Sequence, residues 1–312
     1  MTTSFWKELP REELDKHYNP TLWTPRLTPD SLLPKHEEFT TRASNDYKNS
    51  LIERNLFESI QVGDGNYKSE IDICKPDQAT DQKTALIYIH GGWWQWFSKK
   101  QFTFVAKPFT DKGITVYLPG YTMAQDWNNT SNPIQEIFTQ VKLAIVQLLK
   151  DTDKNNIDKV FITGHSAGGH LAAMMALVDW KKEFDLTNNQ VQRLKGVISL
   201  SGLFDVRPLV DTFVNDAIKI DNAEAEKVSP YYLLNELSKD FKPLPTFLAL
   251  PEYDPQEFYR QTREYQSLLH NKGHHCDLFF ISKTDHLDII ENFYSENYVL
   301  TDYIMDIIQN RH

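Results

Sequence analysis

Three side chains able to carry out acyl transfer lie far apart in this chain. They are a serine inside Gly164-His165-Ser166-Ala167-Gly168, an aspartate in Pro251-Glu252-Tyr253-Asp254-Pro255, and a histidine ending Ser282-Lys283-Thr284-Asp285-His286. A hydroxyl becomes an effective nucleophile when a neutral imidazole takes its proton, and a carboxylate on the other ring nitrogen holds the imidazole in the tautomer that can do so. Serine, acid, histidine is one chain order in which such a set occurs. Ser166 is therefore expected as nucleophile, His286 as general base and Asp254 as the orienting acid, working through a covalent intermediate. Glu252 competes with Asp254 but lies nearer the preceding apolar run, and Asp254 has a second reading as a helix cap. His270, His274 and His275 have no matching partner, and His165, beside the serine, is expected to face away in a structural role.

An oxyanion needs hydrogen-bond donors set in advance. The run Val160–Thr163 leads into the serine motif and a helical pattern follows it, so the serine sits on a tight strand-to-helix turn with the Ala167 N–H at the helix start. A second glycine turn, His90-Gly91-Gly92-Trp93-Trp94-Gln95-Trp96, follows the apolar run Ala85–Ile89. The amides of Gly91 and Gly92, with that of Ala167, are expected to form the oxyanion hole, His90 to brace the loop, and Trp93 and Trp94 to line a substrate pocket. Trp96 fits either pocket or packing.

Elements that could hold these residues recur along the chain. Ala85–His90, Ile114–Leu118, Val160–Thr163, Gly196–Leu200, Thr246–Leu250 and Asp277–Ile281 are short runs, apolar nearly throughout, as in parallel strands covered on both faces. Between them Ile134–Lys150, Ala167–Trp180, Gln256–Asn271 and His286–Ile308 repeat apolar residues at three- and four-residue spacing, as helices do. Phe57–Val62 and Tyr67–Cys74 flank Gly63-Asp64-Gly65 as the arms of an antiparallel hairpin. Upstream, Thr2 to Asn55 reads as a polar segment. The expectation is an α/β fold, a mostly parallel doubly wound sheet with an antiparallel N-terminal hairpin. One domain spans residues 1–312, and the charge-rich stretch 204–245, inserted after a strand end, forms a small helical cap.

Composition narrows the partners. The 312 residues are 40% hydrophobic and 24% charged, with net charge −10 and no run of Lys and Arg. That argues for a small-molecule substrate and against a nucleic-acid or membrane surface, while leaving a homodimer open. No stretch has 18 consecutive apolar residues, and Met1 to Trp23 alternates charged and apolar residues unlike a secretory signal, so a cytoplasmic protein is expected. Cys74 and Cys276 are expected as free thiols. His165, His170 and Asp179 do not reproduce a zinc spacing and neither cysteine has a ligand neighbour, so no metal and no cofactor is expected.

The G-x-S-x-G turn in its strand-turn-helix setting, with the acid and histidine after late strands, implies the α/β-hydrolase fold. Beyond that, His90-Gly91-Gly92-Trp93-Trp94-Gln95, Gly164–Gly168 with His170–Met175, Ser201-Gly202-Leu203-Phe204-Asp205, Tyr253-Asp254 with Glu257-Phe258, Asp285-His286 with Ile289-Ile290-Glu291, and Tyr18-Asn19-Pro20 together resemble the arylformamidase (kynurenine formamidase) family. The resemblance implies a metal-independent serine hydrolase of tryptophan degradation that cleaves N-formyl aryl amides, N-formylkynurenine foremost. A carboxylesterase for small esters is the alternative on the same machinery, and a catalytically dead binding module is a third. The chain departs from the family pattern at Gly169, at Pro255 and across Pro119–Gln125, where a changed pocket wall is expected near Trp127.

Overall fold

Strands Phe57–Val62 (β1), Ser69–Cys74 (β2), Thr84–Ile89 (β3), Thr115–Pro119 (β4), Lys159–His165 (β5), Leu194–Leu200 (β6), Thr246–Tyr253 (β7) and Cys276–Asp285 (β8) form one sheet in the computed structural model. Residues 5–63, 67–78 and 83–310 are described; Asp64 and Gly65 of the expected hairpin turn lie outside the described residues. The strand order is β1-β2-β4-β3-β5-β6-β7-β8. β2 runs antiparallel to β1 and to β4, and every later pairing is parallel. This is the α/β-hydrolase architecture, with the antiparallel strands at one edge.

Every residue of β3 is buried, because alternate side chains enter two different cores. Ala85, Ile87 and Ile89 join the cluster beneath helices Pro133–Lys150 and Ala167–Met175. Leu86 and Tyr88 join the opposite one, against helices Pro29–Glu53 and Val299–Asn310. The sheet is thus sandwiched, and strand ends are where polar side chains can gather.

Four expectations about elements need correction. The segment read as polar contains the 25-residue helix Pro29–Glu53. The helix after the serine ends at Met175, because Asp179 accepts from the Lys182 N–H and caps a new short helix, Trp180–Glu183. The last helical stretch breaks into Asp288–Glu291, the 3₁₀ turn Asn292–Tyr294, and Val299–Asn310. Finally, β7 and β8 extend beyond Leu250 and Ile281 to Tyr253 and Asp285. Between β6 and β7 lie only short helices: the 3₁₀ turn Arg207–Asp211, then Asn215–Ile218, Asn222–Lys227 and Pro230–Glu236. Among the described residues no helix is long and apolar enough to cross a membrane.

Candidate active site

Strand register brings the site together. Ile89 pairs with Gly164, His165 with Leu200, Leu200 with Ala249, and Tyr253 with Asp285. The residues just past these pairs, at the carboxyl ends of β3, β5, β6, β7 and β8, therefore stand side by side: Gly91, Ser166, Ser201, Asp254 and His286. Strand order also reverses at β3, the point at which ligands enter open α/β sheets.

Ser166 occupies the turn between β5 and helix Ala167–Met175 with φ 55° and ψ −120°, outside the regions a side-chain-bearing residue prefers. Such a turn needs its flank to pass very close to β3. A Cβ on Gly168 would lie 2.0 Å from the Ile89 carbonyl oxygen, so only glycine fits there.

The His286 Nε2 lies 3.0 Å from Ser166 Oγ, and its Nδ1 lies 2.7 Å from Asp254 Oδ1. All three side chains are buried. Burial pushes the Asp254 carboxyl above the ordinary range, while the adjoining His286 and a hydrogen bond from Ser201 pull it back. The helix after β7 starts with Pro255 at its cap and no side-chain cap bond, so Asp254 is not spent on capping. Glu252 points elsewhere, accepting from the Lys283 N–H at 2.6 Å.

Ser201 is the member of this site that sequence reasoning missed. Its hydroxyl donates to Asp254 Oδ2 and its oxygen lies 2.8 Å from His286 Nδ1. A serine has one proton; given to Asp254, it leaves the Ser201 oxygen as acceptor, so the Nδ1–H of His286 is shared between Asp254 and Ser201. Nε2 is then bare and faces Ser166. Ser201 is fully buried at φ 48°. The single clue was a serine directly after an apolar run, in a segment noted only for its family likeness.

His165 does not face away as expected. Its ring lies 4.8 Å from that of His286 between centroids, and its Nε2–H donates to the His286 carbonyl at 2.7 Å. Burial, then the neighbouring His286, pushes its pKa well below the usual value. Its ring is thereby held toward the neutral form beside His286.

The glycine loop after β3 touches the elbow. A Cβ on Gly91 would lie 2.7 Å from the His165 carbonyl oxygen and 3.1 Å from Ser166 Cβ. Among the described residues, no protein acceptor takes the N–H of Gly92 or of Ala167. His90 braces the loop: it stacks 4.2 Å from Tyr121 between centroids, and its Nδ1 contacts the Gly91 carbonyl at 2.8 Å. Burial pushes its pKa down to about 4. The Pro119–Gln125 segment thus supports this loop through Tyr121, and neither it nor Trp127 lines the cavity, contrary to expectation.

A cavity of about 380 Å³ opens above Ser166 and His286. Trp93 lines it, but Trp94 does not: Trp94 is 0% exposed and meets His170 edge-on in the core. Trp96, 44% exposed, takes the pocket role instead. Phe213 enters from the short helices after β6, where Val214 accepts from the Gln95 side chain at 2.7 Å. The remaining wall, unanticipated, is N-terminal: Asn19–Leu22, Pro29, Asp30 and Leu33. This strap is pinned to the loop bearing His286. Arg26 Nε and Thr24 Oγ1 each lie 2.6 Å from Asp285 Oδ2, Arg26 also reaches Glu291 at 2.9 Å, and His36 meets Glu291 at 2.6 Å.

Comparison with known proteins agrees with this architecture. A kynurenine formamidase of Danio rerio is 29% identical over 305 residues, covering 98% of this chain and 99% of its own. That of Salmo salar is 28% identical over 310 residues, covering 98% and 99%. Among solved structures, an esterase of Pyrobaculum calidifontis superposes with a TM-score of 0.65 at 16% identity, covering 88% of this chain and 92% of its own. A Silicibacter protein described as a thioesterase gives 0.74 at 23%, covering 94% and 99%. The BD-FAE family model matches residues 71–243, the stretch from β2 through the glycine loop after β3 and the Ser166 turn to beyond the short helices. With that match spanning more than half of the sequence, on an α/β-hydrolase fold, the chain belongs to the BD-FAE family.

Proposed function

We propose that this protein is a serine hydrolase that cleaves N-formyl aryl amides, with N-formylkynurenine as substrate and kynurenine and formate as products. The observation that carries the reading is the hydrogen-bonded line Ser166–His286–Asp254 at the floor of an aromatic cavity, in a chain that aligns with kynurenine formamidases along nearly its whole length.

On this reading Ser166 Oγ attacks the formyl carbon while its proton passes to His286 Nε2, and the carbonyl π electrons move onto oxygen. That oxyanion is received by the amides of Gly91, Gly92 and Ala167. His286, now an imidazolium held by Asp254, protonates the departing aryl nitrogen as the C–N bond breaks, leaving a formyl ester on Ser166. A water then gives its proton to His286 and attacks the ester, and formate leaves as Ser166 recovers its proton. Trp93 and Trp96 flank the aryl ring. Residues 204–245 act as a cap that lends Phe213 to the pocket. The protein works on its small-molecule substrate in the cytoplasm, in keeping with two buried cysteines that remain free thiols.

Steady-state kinetics on purified protein test the proposal. kcat/KM is expected to be higher on N-formylkynurenine than on a short-chain aryl ester, and Ser166→Ala is expected to lower kcat by about 10⁵-fold or more. A much higher kcat/KM on the ester would overturn the formamidase assignment. A folded wild type that a fluorophosphonate probe leaves unlabelled would overturn the hydrolase itself.

A further inference from the structure

The cavity's polar inventory is short and one-sided. Besides His286, the one ionisable side chain among the described residues lining it is Asp30, and no lysine or arginine joins them. The rest of the lining is largely apolar or aromatic, including Trp93, Trp96, Phe97, Phe213, Leu22 and Leu33. Asn19 does not compete as an acceptor, because its Oδ1 already takes the Thr21 N–H at 3.1 Å and the Thr21 hydroxyl at 2.9 Å.

Asp30 sits in the first turn of helix Pro29–Glu53, where an acidic residue also suits the helix end. That position explains the residue type, and it leaves the carboxylate exposed to water and uncommitted. Among the described residues no hydrogen bond or ion pair engages it, whereas the carboxylates of Asp285 and Glu291 are both paired with Arg26. An anionic group arriving in this cavity would find no cation and one repelling charge, so the α-carboxylate of N-formylkynurenine has to remain in water at the opening. A cationic group would find a carboxylate and the faces of aromatic rings, which attract cations as well.

We propose that Asp30 is the subsite for a substrate ammonium group, so that the cavity selects aryl acyl compounds bearing an aliphatic amine at the end remote from the scissile bond. The inference rests on the hydrolase reading above and names the substrate class within it. Asp30 is a specificity residue: it acts on binding and takes no part in the bond changes.

The test measures preference within two matched pairs. One is N-formylkynurenine against its des-amino analogue; the other is phenyl acetate bearing a para-aminoethyl group against the para-propyl compound. Wild type is expected to favour the ammonium member of each pair by about fivefold in kcat/KM, through KM, a preference that shrinks as salt is raised. Asp30→Asn is expected to bring the ratio near unity, Asp30→Glu to retain it, and Asp30→Lys to invert it. Each ratio is taken within one variant, so a general loss of activity or stability cancels. An unchanged ratio in Asp30→Asn, or no ammonium preference in wild type, overturns the subsite. Cleavage of the ester pair with the ammonium preference, but of neither formamide, overturns the formamidase reading and leaves the subsite standing. A chain that cleaves none of the four overturns both.

Discussion

Ser201 shows how one hydroxyl can settle the proton inventory of a site. It satisfies the second oxygen of a buried carboxylate and accepts from the same imidazole proton, so the Nδ1–H tautomer of His286 is favoured twice over. Ser201→Ala removes a hydrogen bond to a charged group, a loss of about 1.5–3 kcal/mol. kcat is expected to fall by roughly 10- to 100-fold, and KM to change little because Ser201 does not line the cavity. Steady-state kinetics check this; an unchanged kcat would show that Asp254 orients the base unaided. Gly91 makes the complementary case on the donor side. A methyl group there would drive into the His165 carbonyl, so Gly91→Ala is expected to shift the loop and lower kcat by about 10²- to 10³-fold while fluorophosphonate labelling becomes slow but still depends on Ser166.

Elements differ in how openly their sequences declare them. The strands around the site were legible because burial on both faces leaves hydrophobic runs with no other use, and the elbow was legible because strand, glycines and helix occur together. Helix Pro29–Glu53 was not, although it packs against the sheet: the face it buries includes His36, Thr40, Ala43 and Ser44, small or polar groups that carry almost no hydrophobic signal. The exchange of Trp94 for Trp96 had no local signature either. Which tryptophan lines the cavity depends on the direction the loop takes after Gly92, and both Trp93 and Trp94 adopt positive φ, which sequence does not announce. The strap that precedes the missed helix carries a prediction of its own. Arg26 neutralises Asp285, whose side chain is 2% exposed, and also binds Glu291. Arg26→Met would strand a buried carboxylate, so urea denaturation is expected to show a loss of about 3 kcal/mol, with KM raised because the strap forms one wall of the cavity.

At the scale of the whole molecule, acidic residues beside the base couple folding to pH. Burial, and then the neighbouring Asp285, raises the Asp288 carboxyl to about 7. At Asp285 burial acts in the same direction, but hydrogen bonds from Arg26 and Thr24 outweigh it and hold that carboxyl below the ordinary range. A carboxyl whose folded pKa is raised favours the fold while protonated: the contribution is complete below the unfolded value and disappears as pH rises through about 7. Thermal melts from pH 5 to pH 8 are therefore expected to show wild type losing stability, by up to about 1.4 kcal/mol per pH unit, until the curve levels off above about pH 7. Asp288→Asn keeps the acceptor for the Asp285 N–H and should flatten the profile. Equal slopes in the two proteins would assign the pH dependence to other groups.

Because residues 19–33 and the histidine at 286 line one cavity and are bolted together by Arg26, the chamber joins segments more than 250 positions apart in the sequence. A chain emerging from the ribosome exposes its serine turn and glycine loop long before the base and its anchors arrive. On the proposed mechanism, hydrolytic competence waits for the histidine at 286, and a copy cut short before it has no imidazole to take the proton of its serine.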